Sequence, residues 1–486
     1  MPETTSVWLD RPRASHPPLT GNATFDVVVV GGGLTGLLTG LLLARGGAST
    51  AVLEARQVGD GATGNTTGKV SLLQGTKLSR ILESNPPSVA RDYVTANEEG
   101  QAWLARFAKD HDVAVQTRPA YTYGTTRVGE LRARAEHAAA DLLGLDVTWE
   151  TATELPFRVR GAVRLPDQLQ LHAMDLVDAL AAELIAEGGA LHEHTRVLDV
   201  RRGGPEVHVA TSEGSVTASS VVLATNQPIL LRHGFFSRLK VQRSYAAALR
   251  SSWTPEGMYL GSDPVAHSVR SLPVPGGDEL LLVGGHGHPT GRTSSTERHL
   301  DDLLSWARSE FPATEVTHTW SAQDQRPMGS LPYVGPAFPG DKQLFVATGY
   351  DKWGFTNAPA AALLLAKTIL GAPVEAELPS WRRAFATWTP REVAALWRGL
   401  MYNIEVGGRL AGGYVRNGPR RPVARSTVDG VEREVSAICS HLGGVVRWND
   451  AARSWDCPLH GSRFGPDGEV LDGPAVCGLK RLGAED

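Results

Sequence analysis

The sequence predicts a protein of three parts: an α/β domain with a mostly parallel sheet, an α+β domain built on an antiparallel sheet, and a small all-β domain at the C-terminal end. Three observations predict this fold class. A mostly apolar run at 25–30 leads straight into a glycine-rich turn, apolar and alternating segments fill the middle of the chain, and two short loops after residue 438 each contain one Cys and one His. Strands buried on both faces read as continuous apolar runs, whereas half-exposed antiparallel strands alternate.

The composition limits the class of protein before any motif is considered. At 486 residues the chain is long enough for two or three domains with cores of their own. The net charge of −4 includes no basic stripe, so nucleic acid is not an expected partner. No apolar run approaches the roughly 18 residues of a membrane span, so no membrane association is expected. Only three Cys are present, which favours a reducing, cytoplasmic compartment, and Cys477 is expected to be a small buried core residue.

The first strand signal, residues 25–30, leads directly into Gly31, Gly33 and Gly36. A helical pattern follows at 37–44, then a second strand that ends in Glu54. Gly31 permits a tight turn, Gly33 lets the backbone approach a pyrophosphate, and Gly36 lets the helix pack on the strand. Glu54 can accept hydrogen bonds from a ribose. The spacing predicts a Rossmann-like dinucleotide site.

A flavin is favoured over a nicotinamide by the next segment, residues 59–68 (GDGATGNTTG), which includes Thr66 and Thr67. Its small and hydroxyl-bearing side chains let the backbone run close against a flat ring. Together with Glu54 it resembles the FAD loop of the D-amino-acid-oxidase-like superfamily of amine and amino-acid oxidoreductases, and residues 195–197, 219–226 and 344–359 resemble it too. The resemblance implies noncovalent FAD, and the further FAD contacts that it implies are Val197, Gly349, Trp353, Gly354 and Thr356.

The domains are expected to be discontinuous in sequence. The FAD-binding domain is predicted for 25–75, 160–235 and 325–372, and the substrate domain for 76–159 and 236–324. Residues 1–24 are interpreted as an N-terminal arm and 373–405 as an ordered connector. The small C-terminal domain is predicted for 406–486.

The candidates for substrate chemistry are Arg326, Tyr245, His286 and Lys352. Arg326 resembles the arginine that binds a substrate carboxylate in amino-acid oxidases of this group, with a loop-bracing role as the alternative. Lys352 could hold negative charge on the reduced flavin or bind the connector. Tyr245 and His286, together with His288, could orient an amine or move its proton, or could be structural side chains. The role of Lys69, which follows the flavin loop, is equally open.

Two C-terminal loops contain a metal-ligand pattern. Cys439 and His441 form C-x-H, and after fifteen residues Cys457 and His460 form C-x-x-H. Two thiolates for one iron and two imidazoles for the other are the ligand set of a Rieske [2Fe–2S] centre, and the residues flanking both loops resemble Rieske domains. A zinc site is the alternative, but zinc fingers seldom pair one Cys with one His inside each loop.

The disulfide of respiratory Rieske proteins is not expected here, because Gly444 and Leu459 occupy the corresponding positions. The domain therefore resembles the ferredoxin-like Rieske modules of soluble enzymes. This resemblance implies a potential in the lower half of the range of roughly −150 to +300 mV found for such centres.

A further resemblance, to bacterial flavoproteins that end in a Rieske domain, covers nearly the whole chain and includes residues 349–356 (GYDKWGFT). We expect an FAD-dependent dehydrogenase that oxidises a C–N bond of an amine or amino-acid-like small molecule by hydride transfer. Electrons would then pass to the cluster and to an external electron-transfer partner, ferredoxin-like or other. Two alternatives stay open: a flavin oxygenase or reductase fed through the cluster by an external donor, and an electron-transfer module without a substrate of its own.

Overall fold

The computed structural model describes residues 5–230, 234–274, 276–312, 315–371, 378–389, 396, 397, 399, 401 and 422–482. The strands are β1 (Gly21–Val30), β2 (Thr50–Leu53), β3 (Lys69–Val70), β4 (Val115–Gly124), β5 (Thr148–Glu150), β6 (Gly161–Leu171), β7 (Ala190–His192), β8 (Val197–Gly203), β9 (Glu206–Thr211), β10 (Gly214–Leu223), β11 (Leu239–Arg250), β12 (Met258–Gly261), β13 (Ser268–Pro273), β14 (Glu279–Pro289), β15 (Glu315–Pro327), β16 (Tyr333–Pro336), β17 (Leu344–Thr348), β18 (Val423–Val428), β19 (Val431–Ser436), β20 (Arg447–Asn449), β21 (Ser454–Asp456), β22 (Arg463–Phe464) and β23 (Val470–Asp472). The α-helices are α1 (Leu34–Arg45), α2 (Lys77–Ser84), α3 (Pro87–Asp110), α4 (Arg127–Leu142), α5 (Ala173–Ala186), α6 (Phe235–Arg238), α7 (Glu297–Glu310) and α8 (Gly354–Ile369).

The first sheet has the strand order β16-β17-β10-β1-β2-β7, with β9 also paired to β10 and β8 to β9. Strand β1 pairs in parallel with β2 and β10, and β10 pairs in parallel with β17. Residues 27–30 are all buried, because helices and a second apolar layer cover both faces of this continuous Val run. The carboxyl ends of β1, β2, β10 and β17 therefore meet at one edge, which is where open α/β sheets bind ligands.

The second sheet has the order β15-β11-β14-β13-β12-β4-β6-β3, with β5 beside β6. Strand β12 pairs in parallel with β4, and the long pairs β11–β15, β11–β14 and β4–β6 are antiparallel. Strand β6 lies inside the range 160–235 that the sequence assigns to the FAD-binding domain, yet it belongs to this second sheet. Its alternation of buried and partly exposed residues is the pattern of an antiparallel strand. Likewise β15 runs to Pro327, past the predicted boundary at 325.

The C-terminal part contains the hairpin β18–β19 and the antiparallel sheet β20-β21-β22-β23 around a small apolar core. Cys477 is exposed, so the expectation of a buried core residue is wrong. It lies in the irregular segment after β23, where its carbonyl oxygen accepts a hydrogen bond from Ser440 Oγ. Most of the predicted connector 373–405 lies outside the described residues, but Ser380–Phe385 forms a 3₁₀ helix that buries Trp381 and Phe385.

Candidate cofactor and substrate sites

A cavity of about 840 Å³ lies at the carboxyl edge of the first sheet and extends under the second sheet. The predicted site residues that line it are Gly31, Gly33, Glu54, Thr66, Thr67, Lys69, Val197, Tyr245, Arg326, Lys352, Trp353 and Gly354. The structure thus brings together two widely separated sets of residues, one from each sheet. The volume of the cavity is in the range of pockets that enclose most of a cofactor or a small ligand.

The glycine-rich turn is tight for steric reasons. Gly31 has φ +111°, and a Cβ there would lie 2.7 Å from the carbonyl oxygen of Ala224. A Cβ on Gly36 would lie 1.8 Å from the carbonyl oxygen of Gly31, so only glycine lets α1 approach β1 this closely. Gly36 therefore shapes the cavity without lining it, which agrees with its expected packing role.

The polar side chains of the cavity fit a large polar ligand. Glu54 accepts hydrogen bonds from the backbone N–H groups of Gly32 (2.6 Å) and Arg56 (2.9 Å), which fixes the carboxylate at the end of β2. The side-chain amides of Gln227 and Gln325 line the cavity, are 2% and 1% exposed, and lack a hydrogen-bond partner among the described residues. Buried amides are ordinarily paired, so both groups suit a bound molecule that donates and accepts hydrogen bonds, as FAD does. Sequence reasoning missed both, because a lone Gln has no spacing signal.

The turn between β17 and α8 is conformationally unusual. Asp351 and Lys352 both have positive φ (+50° and +80°), a region that L-residues seldom occupy. The Lys352 ammonium donates to Ser244 Oγ and lies 3.7 Å from Asp324 Oδ2, which ties the turn to β11 and β15. Trp353 is nearly buried against the cavity.

Two residues of the predicted turn, Gly349 and Thr356, do not line the cavity in the structure. Gly349 has φ +83°, and a Cβ there would lie 3.4 Å from the Pro327 side chain. The hydroxyl of Thr356 accepts a hydrogen bond from Gln74 Nε2.

Three cationic side chains surround the nearly buried carboxylate of Asp351. Oδ2 of Asp351 lies 3.4 Å from Lys77 Nζ, 3.2 Å from Arg80 Nη2 and 3.8 Å from Arg326 Nε. Burial alone would raise the pKa of Asp351, but these cations outweigh it and lower the pKa to about 2. Arg326 is 43% exposed at the side chain and lines the cavity, so its guanidinium can reach a ligand as well as Asp351.

The candidates Tyr245 and His286 are separated by a β-bulge. The pairing of β11 with β14 shifts between Arg243 and Tyr245, and His286 adopts φ +49° on the bulged strand. A bulge interrupts the alternation of faces along a strand. His286 does not line the cavity, and its Nε2 lies 3.0 Å from Nε2 of His267.

The hydroxyl of Tyr245 lies 3.0 Å from Nε2 of His288, which also lies outside the cavity lining. Tyr245 itself is 2% exposed and packs in an apolar cluster beneath the second sheet. Burial lowers the pKa of His288, so the pair holds a neutral imidazole.

Lys69 reaches the cavity from β3. Its ammonium nitrogen donates to Ser268 Oγ (2.5 Å) and Thr67 Oγ1 (3.3 Å). Burial, followed by the nearby guanidinium of Arg270, lowers the pKa of Lys69 well below its ordinary value. The amine is therefore held closer to its neutral form than a surface lysine is.

The four predicted metal ligands form two pairs across the two loops: the two Cys side chains contact each other, and so do the two imidazoles. Each loop is closed by its backbone, with Gly443 N donating to the Cys439 carbonyl (3.1 Å) and Gly461 N to the Cys457 carbonyl (3.0 Å). Both Cys side chains are 2% exposed, and the Cys457 thiol donates to Cys439, which lowers the pKa of Cys439 to about 7. The same contact raises the pKa of Cys457.

The imidazoles of His441 and His460 pack edge to face, with ring centroids 5.1 Å apart. Burial lowers the pKa of His441 to about 4 and of His460 to about 3, so both are neutral, as iron ligands must be. Neither ring nitrogen of His460 has a hydrogen-bond partner among the described residues. Two adjacent thiols and two neutral imidazoles fit a cluster in which His replaces Cys on one iron.

The C-terminal domain also contacts the cavity. Phe236 of α6 packs edge-on against His460 and His441, at centroid distances of 4.7 and 5.6 Å. Five residues from β23 and the segment after it line the cavity: Leu471, Asp472, Gly473, Ala475 and Val476.

Comparison with known families agrees with both sites. The family model for FAD-dependent oxidoreductases (DAO) matches residues 26–368. The chain belongs to this family. A Rieske [2Fe–2S] domain model matches residues 395–482 of the same FAD-dependent oxidoreductase. Both expected cofactors, FAD and a Rieske cluster, are confirmed, and so is the assignment as an oxidoreductase.

Three relatives illustrate how far the likeness extends. The Rieske 2Fe–2S iron–sulfur protein YhfW of Bacillus subtilis is 29% identical over 492 residues, covering 96% of this chain and 95% of the relative. Gamma-glutamylputrescine oxidoreductase of Escherichia coli is 23% identical over 377 residues, which cover 74% of this chain and 86% of the relative. The crystal structure of glycine oxidase from Geobacillus kaustophilus superposes with a TM-score of 0.62 at 22% identity, over 74% of this chain and 98% of that one. The predicted fold class of the oxidoreductase part is thus confirmed.

None of the helices in the described part of the FAD-dependent oxidoreductase combines the length and apolarity that crossing a membrane requires.

Proposed function

We propose that this FAD-dependent oxidoreductase is a dehydrogenase that oxidises a C–N bond of an amine or amino-acid-like molecule and delivers the electrons through its Rieske cluster to an external one-electron acceptor. Bound FAD supplies the hydride acceptor for such a reaction. The observation that carries the proposal is the wall of the cavity, because residues of the Rieske domain, among them Asp472 and Gly473, line the same space as the glycine-rich turn. A Rieske domain that contributes part of the wall of the flavin cavity suits electron transfer within one chain. We place the reaction in the cytoplasm.

The substrate class rests on relatives and on side chains. The names of two relatives, gamma-glutamylputrescine oxidoreductase and glycine oxidase, specify an amine derivative and an amino acid. In this chain the half-exposed guanidinium of Arg326 lines the cavity, and we assign it the binding of a substrate carboxylate. Lys69 Nζ, whose pKa is lowered, can accept the proton that an ammonium substrate must lose before its nitrogen lone pair assists C–H cleavage.

The test is anaerobic stopped-flow mixing of the holoenzyme with a panel of amines and amino acids. We expect one class to bleach the flavin absorption, followed by reduction of the cluster, and an added one-electron acceptor to reoxidise both. In Cys457→Ser, which removes a cluster ligand, flavin bleaching should persist while reoxidation by the acceptor is lost.

Three results would contradict the proposal. They are no bleaching by any member of the panel, bleaching with an inert cluster in the intact protein, and reduction of the flavin only by an external donor acting through the cluster.

A further inference from the structure

The loop that holds cluster ligands Cys457 and His460 rests directly on the second sheet. Gly461, the next residue, has φ +78°, and a Cβ there would lie 2.5 Å from Val241 Cγ1 on β11. The backbone of Gly461 therefore lies against the Val241 side chain and leaves no room for a larger residue. The carbonyl oxygen of Gly461 accepts a hydrogen bond of 2.9 Å from Nε2 of Gln323 on β15.

Gln323 also belongs to the cavity wall, and its side chain is fixed in place. It is 5% exposed and lines the cavity. Its Oε1 accepts from Thr290 Oγ1 at 3.1 Å and from Arg243 Nη2 at 3.4 Å, which leaves Nε2 directed at the Gly461 carbonyl. Its backbone carbonyl accepts from Asn226 Nδ2 at 3.1 Å, which joins it to the end of β10 in the first sheet.

One hydrogen bond thus separates the backbone next to an iron ligand from a side chain of the FAD cavity. We propose that Gln323 is a positioning residue for electron transfer: its amide holds the His460 loop against the cavity wall and provides the bonded contact between the two redox sites. The inference rests on the proposed function.

The electron balance is simple. With both cofactors bound, one of the two electrons of a reduced flavin would reduce one ferric iron of the cluster to ferrous, and a proton would be released to solvent. An external one-electron acceptor, such as a ferredoxin-like protein or ferricyanide, would reoxidise the cluster, which could then take the second electron and pass it to a second equivalent of the acceptor.

The experiment measures inter-centre transfer directly in the holoenzyme and needs no substrate. A laser flash with a deazaflavin donor injects electrons, and the flavin and cluster absorptions are followed as they equilibrate. In Gln323→Met, which keeps the length of the side chain and removes the amide, we expect transfer to slow several-fold. The midpoint potentials and the paramagnetic resonance spectrum of the reduced cluster should be unchanged.

Arg292→Met is the matched control. Arg292 Nε donates to the Pro458 carbonyl at 2.9 Å, in the same ligand loop, but Arg292 does not line the cavity. In Arg292→Met the rate of electron transfer between flavin and cluster should stay near that of the unmodified protein. Gln323→Leu, which is close in size and has neither an amide donor nor a charge, repeats the test if Gln323→Met does not fold or lacks iron.

Equal rates in the Gln323 and Arg292 variants would overturn the role of Gln323, as would a slowed rate accompanied by a shifted cluster potential. Absence of any transfer in the unmodified protein would instead reject the proposed function.

Discussion

At the scale of the single residue, the least expected side chain is Lys77, which is fully buried beside Asp351. Burial, only partly opposed by Asp351, lowers the pKa of Lys77 from 10.5 to about 8. Between these two values the unfolded chain binds a proton that the folded chain does not, so folding stability contributed by this residue rises with pH from about 8 to about 10.5.

The first prediction concerns this rise of stability with pH. Lys77→Met removes the titration, so the melting temperature of the unmodified protein should rise relative to that of the variant across this alkaline window. Lys109→Met, a change of the same type at an exposed position of α3, should follow the unmodified protein. Thermal unfolding measured at a series of pH values checks this, and parallel curves for Lys77→Met and the unmodified protein would contradict it.

At the scale of the element, α1 shows why some predictions succeeded. The spacing of its glycines reflects steric requirements within the turn and the helix themselves, so about a dozen residues were enough to predict both elements. The bulge at His286 could not be predicted from the sequence, because it depends on how β11 pairs with β14, and the paired residues there are at least forty positions apart in the chain. A single inserted residue reverses the faces on which the following side chains lie. For the same reason the sequence shows Gln323 only as one polar residue in a strand.

The second prediction concerns packing of α1 on β1. Alanine is ordinarily a better helix former than glycine by about 1 kcal/mol, so propensity favours Gly36→Ala. The clash with the Gly31 carbonyl predicts the opposite, namely displacement of the helix and loss of bound FAD. FAD retention after gel filtration and the midpoint of thermal unfolding are the measurements.

Gly40→Ala on the same helix is the comparison, because its Cβ would meet the side-chain Cγ2 of Val52 at 2.6 Å and not a backbone atom. We expect it to keep most of its FAD. Equal retention by both variants would show that backbone contact at Gly36 does not control the site.

At the scale of the whole molecule, buried charge joins the Rieske domain to the second sheet. Arg243 Nε on β11 lies 3.7 Å from Asp456 Oδ2, directly before Cys457, and both side chains are 1% exposed. Asp456 also pairs with Arg463 (3.2 Å), and Arg463 pairs with Asp472 at the cavity wall (2.8 Å). The sequence predicted the two cofactor sites separately, but this contact between them depends on tertiary packing alone.

The third prediction is that Arg243→Met loosens the docked domain. Removing one partner of a buried ion pair leaves a charge without full compensation, which costs about 3 kcal/mol. Limited proteolysis should then release the C-terminal domain faster, and calorimetry should show an earlier transition.

Arg250→Met is the control on the same strand, since Arg250 pairs with Glu315 at 3.5 Å and both side chains are at least 70% exposed. Exposed pairs contribute little, so this variant should be digested like the unmodified protein. Similar digestion of the two variants would show that the ion pair between Arg243 and Asp456 does not hold the C-terminal domain in place.

The close seating of Gly461 on Val241 has a consequence for protein engineering. A Rieske module borrowed from another protein will dock on this oxidoreductase only if it presents a glycine there, since any bulkier residue would lift its ligand loop off the strand. Chimeras whose C-terminal module has a larger residue at this position should therefore assemble their iron and still fail to pass electrons between the two cofactors.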